Sequence, residues 1–274
     1  MARQLAKKNI RILKDIAREV YSAVNPLLGT AESKKIVGLG FGGDETSIID
    51  DVAEKTIIDH LIRNKISCTF IGEERGVQNL GENPSFYLVT DAIDGTTNAI
   101  RGLRFVSTSL AVSPSNDLGS IEAAVVMDLS DGGIYEAARG KGARYNNKEI
   151  KTSDTSVLDD AVLSIDVSRA PDAVEKIVPL VRAAKSVRSL GSAALEICHV
   201  ASGQLDAYVD VRGMLRTIDI AAAKLIVEEA GGVFLRPNGA SLSNYPLVEL
   251  NRFSVIASAN EKIHSDIVSL LSEL

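Results

Sequence analysis

Apolar residues recur with two different periods along the chain, one typical of helices and the other typical of strands. Spacing of three and four positions predicts an amphipathic helix over residues 4–24 and a second helix over residues 47–64. Between them, the glycine-rich residues 38–43 predict a turn or hairpin. Because neither Gly-Lys-Ser nor Gly-Lys-Thr follows these glycines, we do not interpret them as a phosphate-binding loop.

The rest of the first half is predicted to be rich in strands. Short apolar or alternating runs, bounded by glycine and polar residues, mark these strands at residues 69–71, 86–90, 108–113, 121–128 and 133–137. The last two strands are expected to form an antiparallel pair. Residues 141–148 are predicted to be a polar connection.

The second half of the chain changes character, because strands and helices now alternate. Strands are predicted at residues 162–167, 187–190, 207–211 and 253–257, and helices at 170–184, 192–202, 218–230 and the C-terminus. Such alternation is typical of an α/β unit. We therefore predict an N-terminal α+β subdomain, residues 1–150, and a C-terminal α/β subdomain, residues 151–274.

Composition narrows the class of protein. Of the 274 residues, 45% are apolar and 24% are charged, which is typical of a soluble globular protein. The net charge of −6 gives no reason to expect nucleic acid or a membrane as partner, and no apolar run is long enough for a membrane span. Cys68 and Cys198 form no paired motif, which favours a reducing, cytoplasmic location. The histidines lack the spacing of a zinc site.

Acidic residues stand next to predicted elements at separated places in the chain. Asp91 and Asp94 follow directly on a strand, and the carboxyl end of a strand is a usual ligand position in α/β sheets. Carboxylate oxygens suit Mg²⁺, and the amides of Gly95, Thr96 and Thr97 could bind an anion if they open a helix. Taken alone, this segment is equally compatible with an Asx-turn that caps a helix.

Two further acidic positions also have simple explanations when each is taken alone. Glu73 and Glu74 follow the strand at residues 69–71, and adjacent acids are commonly part of a solvated loop. Asp219 lies in the first turn of a predicted helix, where the helix dipole favours an acid and Thr217 could act as the cap. The combination of these acids is more specific than any one of them.

The combination resembles the inositol monophosphatase family, within the lithium-sensitive, magnesium-dependent phosphatases that include the fructose-1,6-bisphosphatases. That superfamily carries an Asp, then Glu-Glu, then Asp-Pro-Ile-Asp-Gly-Thr, then Trp-Asp-x-Ala-Ala. The matching residues here are Asp50, Glu73-Glu74, Asp91-Ala92-Ile93-Asp94-Gly95-Thr96 and Ile218-Asp219-Ile220-Ala221-Ala222. Ala92 and Ile218 replace residues that are not ligands. The resemblance spans nearly the whole chain and implies a layered αβαβα sandwich.

The resemblance also implies roles for individual residues. Glu73, Asp91 and the carbonyl of Ile93 would hold one Mg²⁺. Asp91, Asp94 and Asp219 would hold a second, and Glu73 would help to hold a third through water. Asp50 and Thr96 would form a dyad that, with Glu73, orients and deprotonates the attacking water. The substrate-binding residues implied near the phosphate are Asp94, Gly95, Thr96 and Thr97.

The identity of the phosphate ester depends on a different part of the sequence. The pattern VRxxGSAALE…DAYVDVRGxLRxxD resembles the archaeal branch of the family, whose members hydrolyse both fructose 1,6-bisphosphate and inositol phosphates. This implies that Arg188 and Arg212 contact a second phosphate and that Ala193 lines the sugar site, although surface salt bridging would also explain the arginines. The family also implies a homodimer or a homotetramer that binds a small phosphorylated sugar or polyol.

Three alternatives remain open at this point. The first is an inositol monophosphatase with no activity on the bisphosphate, and the second is a nucleotide 3′-phosphatase that acts on a 3′,5′-bisphosphate. The third is a non-enzymatic cation-binding protein, in which the hydroxyl pair, Glu73-Glu74 and Asp50 would be incidental.

Overall fold

The helices of the fold follow the predicted amphipathic segments closely. A computed structural model describes residues 2–249 and 251–272. Because a hydrophobic face repeats along each segment, the helices form where that face can be buried. Their bounds are α1 Ala2–Val24, α2 Ile48–Arg63, α3 Thr96–Arg101, α4 Pro171–Ala183, α5 Ala193–Ala201, α6 Thr217–Glu229 and α7 Glu261–Ser272.

The strands form one hairpin and two larger sheets. They are β1 Ile36–Leu39, β2 Glu45–Ser47, β3 Cys68–Gly72, β4 Gly76–Leu80, β5 Tyr87–Asp94, β6 Ser107–Ser113, β7 Ala123–Asp128, β8 Ile134–Ala138, β9 Ala143–Tyr145, β10 Lys148–Ile150, β11 Val162–Asp166, β12 Ser186–Arg188, β13 Ala207–Arg216, β14 Val233–Leu235 and β15 Arg252–Ser258. The hairpin pairs β1 with β2, as the glycine-rich segment between them predicts.

The larger sheet has the strand order β10-β9-β8-β7-β6-β5-β3-β4. Its neighbours are antiparallel except for the parallel pair β3 and β5. The smaller sheet has the order β12-β11-β13-β15-β14, in which β11 is parallel to both of its neighbours. The predicted antiparallel pair at residues 121–137 is confirmed as β7 and β8.

Helices and sheets alternate in five layers, so the predicted αβαβα sandwich is confirmed. One apolar cluster fills the space between α1, α2 and the larger sheet. A second lies between the larger sheet, α5, α6 and the smaller sheet, and a third joins the smaller sheet to α4 and α7. The second cluster contains Val89 and Ala124 as well as Leu195 and Ile220, so it crosses the predicted subdomain boundary near residue 150. That boundary remains a prediction.

Several predicted strand bounds are wrong, and long-range pairing is the reason. β5 does not stop at Thr90 but continues to Asp94, because its pairing with β6 carries on through an irregularity between Asp91 and Asp94. β13 likewise continues past Val211 to Arg216, opposite β15. Residues 141–148 are not only a connection, since β9 and the start of β10 lie there. Tertiary context overrides the turn preference of Asp and Gly at these positions.

Membrane association by a spanning helix finds no support in the fold. None of the helices within residues 2–249 and 251–272 combines the length and apolarity that a bilayer span requires.

Candidate active site

The four acidic side chains predicted to bind cations come from both halves of the chain and line one cavity of about 200 Å³, together with Asp166. Glu73 comes directly after β3, Asp91 and Asp94 come from the irregular end of β5, and Asp219 lies in the first turn of α6. Ile93 lines the same cavity. The structure therefore brings together all five residues that the sequence analysis nominates as cation ligands, while the ligand role itself remains a prediction.

Asp91 is the most deeply buried of these carboxylates. Only 3% of it is exposed, and its Oδ1 atom lacks a hydrogen-bond partner among the residues that the structure describes. Burial raises the pKa of Asp91 well above its usual value, and the charges of Glu73, Asp94 and Asp219 raise it further. Burying a charged carboxylate oxygen without a partner costs free energy of folding unless an external group, such as a cation, binds it.

Asp94 is held by the start of α5. Its Oδ2 atom accepts hydrogen bonds from Oγ of Ser192 at 2.6 Å and from the amide of Ala194 at 2.7 Å. These bonds stabilise the charged carboxylate, but burial outweighs them and raises the pKa of Asp94 to about 7. Sequence reasoning did not nominate Ser192 as a site residue, although a serine at the start of the predicted helix over residues 192–202 is a usable signal; it occupies the N-cap position of α5, and its side chain bonds Asp94.

Arg216 joins two of the acidic residues. Its Nη1 atom donates to Oε1 of Glu73 at 2.6 Å, and its Nη2 atom donates to Oδ1 of Asp219 at 3.1 Å. The amide of Arg216 also donates to Oδ2 of Asp219 at 2.6 Å, so Asp219 does serve as part of a helix cap. Thr217, the expected cap, instead has a buried hydroxyl without a partner in the described chain, and Arg216 occupies the cap position.

The acidic cluster has donor atoms that suit a cation, but the side chains are not arranged around one metal position in the described residues. Within the described residues, no set of three or more Asp, Glu, His or Cys side chains is arranged around a single metal position. The donors are nonetheless hard oxygens, and Oδ1 of Asp91 is buried beside them without a protein partner in the described part of the chain. This is the donor set that Mg²⁺ prefers.

Asp50 and Thr96 make the contact that the sequence analysis predicts. Oγ1 of Thr96 donates to Oδ1 of Asp50 at 2.8 Å, while Oγ and the amide of Ser47 donate to Oδ2 at 2.6 and 3.2 Å. Burial raises the pKa of Asp50, and these hydrogen bonds offset part of that shift. The pair borders the cavity that contains Glu73, while its role in handling water remains a prediction.

Gly95 allows the chain to turn from β5 into α3. Its φ of +97° is a conformation that favours glycine, and a Cβ atom here would lie 3.0 Å from the carbonyl oxygen of Gly191. α3 begins at Thr96, so the helix start on which the predicted anion site depends is present, and Thr97 is exposed.

A wider cavity of about 650 Å³ adjoins the acidic cluster and shares Glu73 and Asp219 with it. Arg212 lines both cavities and is held by Oδ2 of Asp210 at 2.6 Å and Oδ2 of Asp166 at 2.8 Å. Ala193 lines the inner cavity. Ser168, Arg169 and Arg252 also line the wider cavity, and sequence reasoning did not nominate them as site residues.

Arg188 lies apart from the other nominated residues. It ends the edge strand β12, is exposed, and donates through Nη1 to the carbonyl of Val187 at 3.0 Å. The residues that line the two cavities in the described chain do not include it. Its predicted contact with a second phosphate therefore has no support from the cavity lining and stays a prediction.

The fold and the acidic cluster together define a phosphoric monoester hydrolase that acts on sugar phosphates. Residues 3–274 match the model described as the inositol monophosphatase family, and the chain belongs to that family. Membership implies metal-dependent catalysis.

Relatives and solved structures agree with this assignment. A fructose-1,6-bisphosphatase/inositol-1-monophosphatase of Methanothermobacter thermautotrophicus is 36% identical over 265 residues, which cover 93% of this chain and 94% of the relative. A bifunctional NADP phosphatase/NAD kinase of Methanococcus maripaludis is 33% identical over 93% of this chain, but the match covers 48% of that longer relative. The crystal structure of an inositol monophosphatase–fructose 1,6-bisphosphatase superposes with a TM-score of 0.83 at 30% identity and covers 95% of this chain and 98% of that one.

Proposed function

We propose that this protein is a Mg²⁺-dependent phosphatase that hydrolyses fructose 1,6-bisphosphate and inositol monophosphates. The observation that supports it best is the buried Oδ1 atom of Asp91, which lacks a partner within the described chain while Glu73, Asp94 and Asp219 line the same cavity. Four converging acids without cations repel one another and take up protons, so the arrangement favours a cation.

Two to three Mg²⁺ ions would be held by the acidic cluster. Glu73, Asp91 and the Ile93 carbonyl would hold one, Asp91, Asp94 and Asp219 the second, and Glu73 the weaker third through water. When bound, these ions supply positive charge to the phosphate and acidify water. No cysteine or histidine nucleophile is needed for this chemistry.

Thr96 and Asp50 would position the water that attacks phosphorus. The Thr96 hydroxyl donates a hydrogen bond to Oδ1 of Asp50 at 2.8 Å, so the lone pairs of its oxygen remain free to accept a hydrogen bond from water. Glu73 lies on the same cavity wall and can accept a hydrogen bond from the other O–H group of that water. The amides of Gly95 and Thr96 would donate to the phosphate oxygens, because no side chain at Gly95 blocks the approach.

The second phosphate of the substrate would lie near Arg212. Arg212 lines both cavities, and its guanidinium is already oriented by Asp210 and Asp166, which lowers the entropy cost of binding an anion. Arg188 is retained as a weaker candidate for the same role. Ala193, on the inner cavity, would leave room for the sugar ring.

The proposal also extends to the setting of the enzyme. We place it in the cytoplasm as a homodimer or homotetramer, by analogy with its family. The two free, buried cysteines, Cys68 and Cys198, fit a reducing compartment.

A second candidate substrate is the 2′-phosphate of NADP. The relative from Methanococcus maripaludis that matches 93% of this chain is named as an NADP phosphatase. The wider cavity of about 650 Å³ could accept part of a dinucleotide, and Arg169 and Arg252 on its wall could meet the diphosphate.

A substrate panel with matched variants tests the proposal. Phosphate release from fructose 1,6-bisphosphate, inositol 1-phosphate, adenosine 3′,5′-bisphosphate and NADP would be measured with Mg²⁺ and with a chelator. We expect release from the first two substrates only when Mg²⁺ is present, and no release from any of them by Asp94→Asn. Asp59→Asn is the control, because Asp59 pairs with Lys55 on the surface of α2.

Full activity of Asp94→Asn at saturating Mg²⁺ would contradict the proposed ligand set. Arg212→Ala should lower kcat/KM on the bisphosphate more than on the inositol ester. Because both values come from one preparation, any loss of folded protein cancels in their ratio. Equal losses on the two esters would show that Arg212 does not bind the second phosphate. Faster phosphate release from NADP than from the other substrates would favour NADP phosphatase activity.

A further inference from the structure

Arg216 is placed where a cation would otherwise meet Glu73 and Asp219. We infer that its guanidinium occupies this position in the metal-free enzyme and is displaced from at least one of the two carboxylates when a cation binds, so that Arg216 weakens cation binding. The inference rests on the proposed function, since it needs the acidic cluster to be the cation site.

The contacts of Arg216 differ from those of an ordinary surface ion pair. The side chain is 18% exposed. It joins Glu73, which lies 143 residues earlier in the chain, to Asp219, which lies three residues later. In the described chain, the other arginines on the cavity wall make no ion pair with these two acids. Arg212 is held by Asp210 and Asp166, and Arg252 donates to the carbonyl of Met214.

The guanidinium and a bound cation compete for the same charge. Two positive groups that share one carboxylate within a few ångströms repel each other, and this effect is strong in a partly buried site. Binding of one therefore opposes binding of the other, and the coupling is reciprocal. The guanidinium also offsets the repulsion among the acids while the cation is absent.

The backbone allows this exchange without unfolding. Arg216 lies at the junction of β13 and α6, where its amide is fixed by Oδ2 of Asp219 at 2.6 Å. Only the long side chain has to move, and it borders the wider cavity of about 650 Å³ into which it can withdraw. Asp91 is different, because its buried Oδ1 atom lacks a partner in the described structure and is available to a cation from the start.

Direct measurement of Mg²⁺ binding tests the inference without using activity. Chelator-treated native protein, Arg216→Met and Arg216→Gln would be titrated with Mg²⁺ by calorimetry and melted with and without Mg²⁺. We expect both variants to bind Mg²⁺ about tenfold more tightly than the native chain, because one positive charge has left the cluster. We also expect a lower melting temperature without Mg²⁺ and a larger rise when Mg²⁺ is added.

The control is Arg252→Met, which removes a positive charge from the same cavity wall without removing an ion pair to Glu73 or Asp219. Its Mg²⁺ affinity should change by no more than about twofold. Arg216→Lys, which keeps the charge, should remain close to the native affinity.

Each other result has a defined meaning. Unchanged or weaker Mg²⁺ binding by Arg216→Met, or an equal gain in Arg252→Met, overturns the inference. Variants that are unfolded without Mg²⁺ but folded with it support the inference, whereas variants unfolded in both conditions overturn it. If the native chain shows neither saturable Mg²⁺ binding nor phosphate release, the proposed function itself fails, which is a distinguishable outcome.

Discussion

Two buried carboxylates on adjoining elements, Glu54 on α2 and Asp91 on β5, differ in what compensates their charge. Glu54 is fully buried, and it accepts hydrogen bonds from the amides of Glu74 at 3.0 Å and Arg75 at 2.8 Å, with the Arg75 guanidinium at 3.4 Å. Asp91 is almost as buried, yet its Oδ1 atom lacks a partner in the described part of the chain.

This comparison separates structural acids from candidate ligands. Burial raises the pKa of both carboxyl groups, so the direction of the shift does not distinguish them. The partners do, because in Glu54 hydrogen bonds from two backbone amides oppose the effect of burial, whereas in Asp91 the neighbouring acids reinforce it. A buried acid with backbone donors, such as Glu54, has a structural role. A buried acid surrounded by other acids, such as Asp91, is a candidate cation ligand.

The largest expected effect comes from Asp91→Asn. We expect turnover to fall on the order of a thousandfold, because the variant loses a negative ligand at the centre of the cluster. The free energy of unfolding without Mg²⁺ should stay the same or rise, since a source of repulsion is removed. Phosphate release and melting in a chelator measure the two quantities. A large loss of stability in Asp91→Asn would show that Asp91 has a structural role like that of Glu54.

A smaller effect on turnover is expected from Thr96→Ala. Loss of the hydroxyl removes the group that joins Asp50 to the attacking water, so kcat should fall by about a hundredfold with little change in KM. Thr96→Ser keeps a hydroxyl and should recover most of the activity. Initial rates over a range of substrate concentrations separate the two constants, and an effect confined to KM would argue against the dyad.

Glu54→Gln should affect stability more than chemistry. A glutamine at this position replaces one acceptor oxygen by an NH₂ group that faces backbone donors, which should cost about 2 kcal/mol of the free energy of unfolding. Denaturant titration with and without Mg²⁺ measures this loss. Because Glu54 is expected to bind no cation, the loss should be the same in both conditions. A loss that saturating Mg²⁺ removes would contradict the structural role.

The smallest expected effect is the pH dependence of the metal-free protein. The folded pKa of Asp94 is about 7, raised by burial above its usual value of 3.8, so the protonated form is favoured in the folded state. This contribution to stability is present at low pH and is lost as the pH rises through about 7. Melting temperatures in a chelator should therefore fall as the pH rises from the usual pKa of 3.8 to about 7.

Two controls isolate the contribution of Asp94 to this pH dependence. Asp94→Asn should show a shallower fall, and saturating Mg²⁺ should flatten the native profile. Burial lowers the pKa of His199 and of His264, which opposes the trend, so the difference between native and variant profiles is the relevant quantity. Parallel profiles would show that Asp94 does not titrate in this interval.

Much of the layered fold could be predicted because it depends on local patterns. The periods of α1 and α2 and the pair β7–β8 were predictable, since the side chains on one face of an element repeat at its own period. The short edge strands β4 and β14 were not predicted, because strands of this length are decided by the neighbour with which they pair.

The candidate site divides in the same way. The residue types of Glu73, Asp91, Asp94 and Asp219 and the turn at Gly95 indicate a cation and phosphate site from sequence. Ser192 can be recognised from sequence only as a helix start, and its hydrogen bond to Asp94, 98 residues away, depends on the fold bringing the start of α5 to the end of β5. The position of Arg188 on the edge strand β12 likewise depended on the strand order of the smaller sheet.

By itself the sequence determined the order of most elements, the acids available for the site and the resemblance that relates them. Tertiary structure decided which of those acids have partners, because each partner comes from a distant segment. Glu73 meets Arg216 across 143 residues, and Glu54 meets the turn after β3. A local pattern carries the period and the chemical type of a side chain, but whether its buried charge is compensated depends on what the fold packs against it.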